Sequence, residues 1–475
     1  MAGKFEAPRN GGNSPVRRRG RRRPRFRPLV LLPIVLVVVV LALLLTRCGK
    51  DGGESAQTGV PQQTAATEQT EPPLSVTASA TVASQGDMLM HSYIFTGNPK
   101  YPGACYIEEG IYNFDSIFQY VAPYVSDADY AVANLETTFG GDGYKYGGNP
   151  LFNCPDALAD SFVSAGYDML LTANNHCSDT TTAGLKRTLE QIRSRNLASL
   201  GTQLNDTEKK YAVVDINGIK IGMLCYTYAS GLESDGSPNM NFRAETIVRE
   251  AGLVNYFTAD NPDRLYSEVR THLSNMKADG AEATILYIHW GDEYMITENA
   301  LQRQIAQQMC DLGIDVIIGG HPHVIQPMDL LTSSQDPQHK TVCIYSLGNA
   351  VSNQRIEEMK LKTGHTEDGA LFSVTFEKYS DGTVAVTAAD VLPTWVNKFS
   401  NSDGKYEYNI LPLDNSTREQ WKQLYNLNDT MYANAGSSYS RTMDIVGAGL
   451  QKCQTYLEQA RQQRLNSGAS APQAA

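Results

Sequence analysis

The sequence is poor in cysteine and, beyond its first residues, in positive charge. Eight cysteines in 475 residues are too few for a fold held together by disulfides. Residues 1–28 carry ten basic side chains and one acidic one, whereas the remainder carries 30 basic and 50 acidic side chains. Binding to nucleic acid needs a basic face that neutralises phosphates, so an acidic body of this kind argues against a nucleic-acid partner.

One long apolar run follows the basic start of the chain. Residues 29–46 are eighteen uncharged, mainly aliphatic residues, close to the length with which a helix crosses a hydrocarbon layer about 30 Å thick. Because the basic residues precede this run, the positive-inside rule places the N-terminus in the cytoplasm. We therefore expect a single-pass protein of the cell membrane with an extracellular main domain.

Two alternative interpretations of this run are weaker. A cleaved secretory signal would have a shorter apolar region followed by small residues, whereas this run ends in Thr46-Arg47-Cys48. Lipidation of Cys48 is disfavoured by the charged Arg47 directly before it. An uncleaved anchor is the expected outcome.

Composition divides the chain into five parts. Residues 1–28 form the basic cytoplasmic tail and residues 29–46 the transmembrane anchor. Residues 47–78 are rich in Gly, Ser, Thr, Gln and Pro and cannot bury enough apolar surface to fold, so we expect a flexible linker. Residues 79–395 form the predicted folded domain, and the polar residues 396–475 form a partly helical extension.

Short apolar runs alternate with amphipathic stretches in the folded domain, and this alternation predicts an α/β fold. Asn217-Gly218 and Asp381-Gly382 predict β-hairpins, so that the sheets are mixed. Helices are expected at residues 181–195, 264–278 and 297–312, with others near 417–426 and 441–464. The predicted strands are residues 80–85, 130–133, 168–172, 284–288, 316–318 and 342–345.

Polar residues with metal-binding chemistry follow five of these strands. In open α/β sheets such residues meet in a common crevice at the carboxyl ends of the strands. Each residue alone has an ordinary structural explanation, such as a turn, a helix cap or a solvated acid, but together they favour a two-metal site. The candidate ligands are Asp87, Glu136, Asn175, His289, His321 and His323.

The His321-Pro322-His323 segment is the most specific of these features. Pro322 favours extended backbone at His321, and residues i and i+2 of an extended chain point the same way. Imidazoles combined with carboxylates suit divalent ions such as Mn, Zn or Fe. A pair of such ions bridged by a carboxylate activates water and stabilises the attacking and leaving oxygens.

His176 is the expected proton donor to a leaving group, because it lies next to a proposed ligand without being one itself. Asp179 follows three residues later. It either orients the His176 ring or caps the helix that begins near residue 181, and the sequence does not distinguish these roles.

Six ordered segments resemble the CapA family of capsule (poly-γ-glutamate) synthesis proteins, over about residues 80–395. The resemblance implies a four-layer α/β sandwich similar to calcineurin-like metallophosphoesterases, with His176 at the position of their catalytic histidine. The segments are residues 86–91 (GDMLMH), 133–136 (ANLE), 173–176 (ANNH), 289–294 (HWGDEY), 320–323 (GHPH) and 345–349 (YSLGN).

The resemblance also assigns the ligands to two ions. Asp87 and His323 would bind the first ion, Glu136 would bridge, and Asn175, His289 and His321 would bind the second ion.

Two departures from the phosphoesterase pattern affect this assignment. Leu89 stands where that pattern has a histidine, and His91 is the nearest substitute. The bridging residue is Glu136, whereas phosphoesterases usually have an aspartate there.

Two functions are consistent with these features. The first is a metal-dependent hydrolase or transferase acting on cell-envelope material. The second is a non-catalytic accessory for the assembly, export or retention of an anionic capsule polymer. The expected partners are the capsule polymer or its precursor, the membrane subunits of the capsule synthase, and the membrane itself. A nearly complete ligand set favours catalysis, because buried carboxylates and imidazoles that converge without a metal are costly.

Overall fold

The computed structural model describes residues 73–250 and 252–467. The expected tail at 1–28, the expected anchor at 29–46 and most of the expected linker lie outside these residues. The described strands are β1 (Val76–Met88), β2 (Tyr106–Glu108), β3 (Ile111–Tyr112), β4 (Tyr130–Asn134), β5 (Met169–Leu171), β6 (Ala198–Leu200), β7 (Ala212–Ile216), β8 (Ile219–Ala229), β9 (Gly231–Leu232), β10 (Pro238–Asn239), β11 (Tyr256–Thr258), β12 (Ala283–His289), β13 (Val316–Gly320), β14 (Ile325–Thr332), β15 (Lys340–Leu347), β16 (Asn349–Val351), β17 (Asp368–Tyr379), β18 (Val384–Ser400) and β19 (Tyr406–Pro412).

Helices separate many of these strands, as the sequence predicts. The three central helices begin and end within three residues of their expected bounds, and both predicted hairpins are present, as β7–β8 and β17–β18. The described α-helices are α1 (Asp115–Phe118), α2 (Ala122–Asp127), α3 (Ala157–Ala165), α4 (Thr181–Ser194), α5 (Asp263–Ala278), α6 (Ala300–Asp311), α7 (Trp421–Leu424) and α8 (Asp429–Asn466).

The first large sheet has the strand order β19-β18-β17-β1-β4-β5-β6, with β16 also paired to β1. β1, β4, β5 and β6 run parallel to one another, whereas β17, β18 and β19 add an antiparallel half. Side chains alternate between the two faces: Val82 and Val132 pack on one face, Ala83 and Ala133 on the other.

The second large sheet has the order β11-β8-β12-β13-β15-β14, with β7 at the side of β8. Its inner pairs are parallel, and β14 and β7 are antiparallel to their neighbours. Alternation again divides the side chains of β12, since Ile285 and Tyr287 pack on one face and Leu286 and Ile288 on the other.

Three apolar cores arrange these elements in layers. The central core contains side chains of both sheets, including Val82 and Ile285. The outer face of the first sheet is covered by α1 to α3, for example by Phe162, and that of the second sheet by α5 and α6, for example by Val269 and Ile305. The predicted mixed α/β architecture is therefore confirmed. The seven cysteines of the described residues are buried, unpaired thiols.

The ends of the predicted folded domain lie within strands. β1 begins at Val76, inside the expected linker, and the expected boundary between residues 395 and 396 falls within β18. β19 then pairs with β18 along Thr394–Ser400, so the chain beyond residue 395 completes the first sheet.

The long C-terminal helix α8 begins twelve residues before the expected start at 441. The Asn428 side chain accepts a hydrogen bond from the amide of Met431 and caps the helix. Its first turns contain Gly and Ser, which favour helices poorly, but Ala435 and Ser438 are fully buried there. Tertiary packing therefore stabilises a helical segment that local propensity does not predict.

Within residues 73–250 and 252–467, none of the helices has both the length and the apolar character needed to cross a bilayer.

Candidate metal centre

Six side chains from the ends of parallel strands meet at one edge of the two sheets. Asp87 lies one residue before the end of β1, and His289 is the last residue of β12. The other four follow β4, β5 or β13 by one to four residues, where the chain has left the ladder of the sheet. All six are buried, and they are Asp87, Glu136, Asn175, His289, His321 and His323.

Asp87, Glu136 and His323 form the first ligand group. One ligand atom from each lies within 4.8 Å of the other two. Nδ1 of His323 is 3.4 Å from Oδ2 of Asp87, and Nε2 of His323 is 3.8 Å from Oε1 of Glu136. These distances leave room for a cation between the three side chains.

Glu136, His289 and His321 form the second ligand group, with their ligand atoms again within 4.8 Å of one another. Nε2 of His289 lies 3.4 Å from Oε1 of Glu136 and 2.9 Å from Oδ1 of Asn175. The Asn175 amide oxygen therefore adds a fourth oxygen or nitrogen atom to this group. Glu136 belongs to both groups, which is the arrangement of a bridging carboxylate.

Unsatisfied polar atoms at this centre indicate that the residues fit a cation. Among the described residues, both carboxylate oxygens of Glu136 and Nδ1 of His321 have no hydrogen-bond partner, although they are buried. Such atoms cost about 1–3 kcal/mol each, and more when charged. Carboxylate, imidazole and amide oxygen together suit Mn, Fe or Zn. The buried clusters could therefore hold metal ions, as the sequence predicts.

A chain of asparagines holds Asp87 in place. Nδ2 of Asn134 donates to Oδ1 of Asp87 at 2.8 Å, and Nδ2 of Asn174 donates to Oδ1 of Asn134 at 3.1 Å. A Cβ atom at Gly320 would lie 2.8 Å from Oδ1 of Asp87. Only glycine at this position lets the end of β13 approach the carboxylate so closely.

Asn349 supports the other side of the first group. Its Oδ1 lies 3.1 Å from Nδ1 of His323, and its Nδ2 donates to Oε1 of Gln354 and to the carbonyl oxygen of Thr366. Partners of this kind orient a ligand ring and fix its tautomer. Sequence reasoning did not assign this role to Asn349 or Asn134, although both lie at strand ends within the motifs.

The backbone of the His321-Pro322-His323 segment differs from the extended geometry expected from sequence. φ is +96° at His321 and +58° at His323, so both residues adopt left-handed conformations that are uncommon for non-glycine residues. The amide of His321 donates to Oδ2 of Asp87 at 3.1 Å, which helps to hold this conformation. The prediction of extended backbone was wrong, but both rings still reach the centre.

The charges of this centre act strongly on its histidines. Burial lowers the pKa of His323, but the negative charges of Glu136 and Asp87 outweigh burial and raise that pKa to about 9. Burial, and then electrostatic interaction with the neighbouring rings of His289 and His323, hold the pKa of His321 well below its usual value. His321 is therefore neutral and able to donate a lone pair to a metal.

His176 and Asp179 lie beside the ligand groups. Nδ1 of His176 is 2.7 Å from Oδ2 of Asp179, and the same oxygen accepts a hydrogen bond from the amide of Phe152. The helix α4 has no side-chain cap, so Asp179 contacts the ring rather than the helix end. Burial lowers the pKa of His176, but the charge of Asp179 and its hydrogen bond outweigh burial and raise it.

His91 lies outside both ligand groups. Its Nδ1 is 3.2 Å from the carbonyl oxygen of Leu89 and 3.2 Å from the amide nitrogen of Asn353, and burial lowers its pKa to about 3. The neutral ring lines the wall of the cleft beside Leu89. The structure therefore does not bring His91 among the ligands that the sequence predicts.

A cleft of about 470 Å³ opens above the centre. Asn175, His176 and His323 form part of its floor, and Asn241 and Arg243 lie on a loop that reaches it from β10. Nδ2 of Asn241 is 3.3 Å from Nδ1 of His176. Sequence reasoning missed Asn241 and Arg243, because nothing in their local sequence connects them to the strand ends.

Residues 81–354 match the family model for the bacterial capsule synthesis protein PGA_cap. The chain belongs to this family. It is 28% identical over 316 residues to the PGA biosynthesis protein CapA of Bacillus subtilis (strain 168), which covers 65% of this chain and 73% of that protein. It is 27% identical over 271 residues to the capsule biosynthesis protein CapA of Bacillus anthracis, which covers 54% of this chain and 59% of that protein.

These comparisons confirm the family resemblance that the six motifs indicate. The residues matched to the PGA_cap family, 81–354, contain all six candidate ligands together with His176 and Asp179. Strands β17 to β19 and helix α8 lie beyond them. The part of the chain that is typical of the capsule synthesis family is thus the part that builds the centre.

Proposed function

We propose that this chain is a membrane-anchored, extracytoplasmic enzyme of capsule biosynthesis, a metal-dependent hydrolase or transferase. The observation that carries the proposal is Glu136, whose side chain is fully buried and whose two oxygens accept no hydrogen bond from any described residue. A carboxylate with only a structural role would be expected to be paired. A carboxylate that is shared by two groups of metal-ligating side chains is instead suited to bridge two cations.

The ligand groups would divide between two divalent ions. Asp87, Glu136 and His323 would hold one ion, and Glu136, Asn175, His289 and His321 would hold the other. Ions bound there supply Lewis-acid polarisation of the scissile group and of an attacking water.

The other groups of the cleft handle the proton and the substrate. The hydrogen bond between Nδ1 of His176 and Asp179 orients the ring, and the carboxylate favours its protonated form. His176 can then hold a proton at Nε2 and deliver it to the leaving atom of the substrate. The aromatic ring of Phe152, whose centroid is 4.6 Å from that of His176, limits the movement of the imidazole.

The substrate proposed for this centre is a capsule polymer or its precursor, poly-γ-glutamate being the polymer that the family resemblance implies. Membership of the capsule synthesis family and similarity to the two CapA proteins of Bacillus support this proposal. The anchor would be residues 29–46, with the basic residues 1–28 in the cytoplasm and the catalytic domain outside the cell. Membrane subunits of the capsule synthase would be its partners.

The test combines metal analysis with a substrate panel on the purified full chain. The chain is dialysed against Mn or Zn, its metal content is measured, and phosphoester and γ-glutamyl substrates are assayed. We expect two ions per chain and turnover of one substrate class. The His321→Ala variant should lose an ion and turnover, whereas His176→Ala should keep both ions and lose about 10²- to 10⁴-fold in rate. Glu190→Gln, an exposed change on α4, is the control.

Two results would contradict the proposal. Bound metal with no turnover of any substrate would leave the accessory role in assembly, export or retention of the polymer. A chain that remains free of metal after both dialyses would overturn the enzyme assignment altogether.

A further inference from the structure

Arg441 of helix α8 holds the segment that leads into β17. Its Nε and Nη2 donate to the two carboxylate oxygens of Asp368 at 2.7 and 2.6 Å, and Nη2 also donates to the carbonyl oxygen of Gly364 at 3.2 Å. φ of Gly364 is +80°, and a Cβ atom there would lie only 3.2 Å from Cζ of Arg441. Glycine therefore permits both the turn and the close approach of the guanidinium group. One side chain thus holds both ends of residues 364–368.

The surroundings of Asp368 show why this cation matters. Asp368 is buried, and burial raises its pKa to about 6, although the hydrogen bonds and the charge of Arg441 lower it. The charge of Glu367 also raises the pKa of Asp368. Nδ1 of His365 lies 3.8 Å from Oδ2 of Asp368, but burial and the charge of Arg441 lower the pKa of His365 and favour its neutral form. Removal of Arg441 would therefore leave a buried carboxylate without its balancing charge.

The held segment reaches the metal centre through Thr366. The carbonyl oxygen of Thr366 accepts a hydrogen bond from Nδ2 of Asn349 at 2.9 Å. Oδ1 of Asn349 lies 3.1 Å from Nδ1 of His323, a member of the first ligand group. The Thr366 hydroxyl donates to the carbonyl oxygen of Gln354, whose Oε1 in turn accepts from Asn349. A shift of Thr366 would therefore move the Asn349 amide and, with it, the ring of His323.

Helix α8 makes a second ion pair of the same kind with β17. Nε and Nη2 of Arg461 donate to the two carboxylate oxygens of Glu377 at 2.8 and 3.0 Å. Asp368 begins β17 at the edge of the sheet where the ligands meet, whereas Glu377 lies near the opposite end of the strand. Both pairs fasten α8 to the first sheet, but the pair at Glu377 is remote from the ligand groups.

We propose that Arg441 is a positioning residue for the first ligand group. It holds residues 364–368 in place and thereby fixes the hydrogen bond between Thr366 and Asn349. Asn349 in turn orients the ring of His323. This inference rests on the proposed function and adds to it a role for α8, which lies beyond the residues matched to the capsule synthesis family.

The test measures the affinities of both ions for the full chain by competition with a coloured chelator. Arg441→Gln should weaken the first ion about threefold and leave the second ion unchanged, because an effect passed through Asn349 is smaller than the loss of Asn349 itself. Arg441→Lys keeps the charge but not the bidentate geometry, so it should weaken the first ion less. In the Asp87→Asn background, which is expected to retain only the second ion, Arg441→Gln should have no effect on affinity.

Arg461→Gln separates positioning from general stabilisation. It removes the same type of ion pair from the same helix and strand. We expect it to lower the thermal unfolding midpoint, as Arg441→Gln also should, but to leave both metal affinities unchanged.

A double variant tests the route through Asn349. If Arg441 acts through this residue, Arg441→Gln combined with Asn349→Ala should bind the first ion as weakly as Asn349→Ala alone. Independent effects would instead multiply.

The inference and the proposed function fail in different ways. If the chain binds two ions and Arg441→Gln changes neither affinity, or weakens both ions equally, the inference is overturned and the proposed function stands. The same conclusion follows if Arg461→Gln weakens the first ion as much as Arg441→Gln does, or if the losses multiply in the double variant. An unmodified chain that binds no ion would overturn the proposed function and the inference together.

Discussion

The two ligand groups share Glu136 but differ in how far their other atoms are satisfied without a cation. In the first group, Asp87 accepts hydrogen bonds from Asn134 and from the amide of His321, and it lies against His323. In the second group, Nδ1 of His321 is buried without a partner in the described part of the chain. Glu136 is unsatisfied in both groups, but the second group has a further unsatisfied atom in His321, so it gains more from a cation and should bind one more tightly.

Replacement of the shared carboxylate should have the largest effect. Glu136→Gln removes the charge common to both groups, so we expect each ion to bind more than about 100-fold more weakly. This loss of affinity is larger than the loss of about 10- to 100-fold expected when a residue that only orients a ligand is replaced. The metal-free variant should also be more stable than the metal-free parent, by about 1–3 kcal/mol, because a buried charge whose oxygens accept no hydrogen bond is gone. Metal titration and denaturant unfolding measure the two effects.

Glu190→Gln is the matched control, and it should change neither metal affinity nor stability. Retention of both ions by Glu136→Gln would show that Glu136 does not join the two groups.

Replacement of one ligand in each group should affect the binding of one ion and leave the other ion bound. Asp87→Asn is expected to lose the first ion and retain the second, whereas His321→Ala is expected to weaken the second ion about 100-fold. In the unmodified chain, stepwise addition of a chelator should release the ion of the first group earlier. Metal content at each chelator concentration measures this order. The reverse order would contradict the expectation that the second group binds its ion more tightly.

Loss of a residue that orients a ligand should lower metal affinity less, and only in the first group. Asn349→Ala leaves His323 without the oxygen at 3.1 Å from its Nδ1, so the first ion should bind about tenfold more weakly while the second is unchanged. Competition with a coloured chelator measures the two affinities. An equal loss at both groups would indicate general damage to the fold instead.

Addition of a ligand should have the smallest effect. Leu89 is buried and lines the cleft, at the position where the phosphoesterase pattern has a histidine. Leu89→His should strengthen binding of the first ion by a few-fold, since the new imidazole is partly offset by the strain of repacking a buried site. Leu89→Met, which is of similar volume, is the control. Unchanged affinity in Leu89→His would place this side chain beyond reach of the first ion.

Much of the centre was predictable because it depends on local patterns. Short apolar runs bounded by polar residues predict parallel strands, and the carboxyl ends of such strands share an edge. Asp87, Glu136 and His289 each lie within two residues of such an end. The position of His91 was not predictable in this way, because its contact with the amide of Asn353 joins residues 262 positions apart.

The sequence by itself determined the mixed α/β class, the family and the set of side chains at the strand ends, because each of these depends on periodicity or on short motifs. Tertiary structure alone decided the left-handed backbone of His321 and His323, the early start of α8, and the approach of Arg243 to the cleft. Each of these results from contacts between segments distant in sequence, whose free energy outweighs local conformational preference.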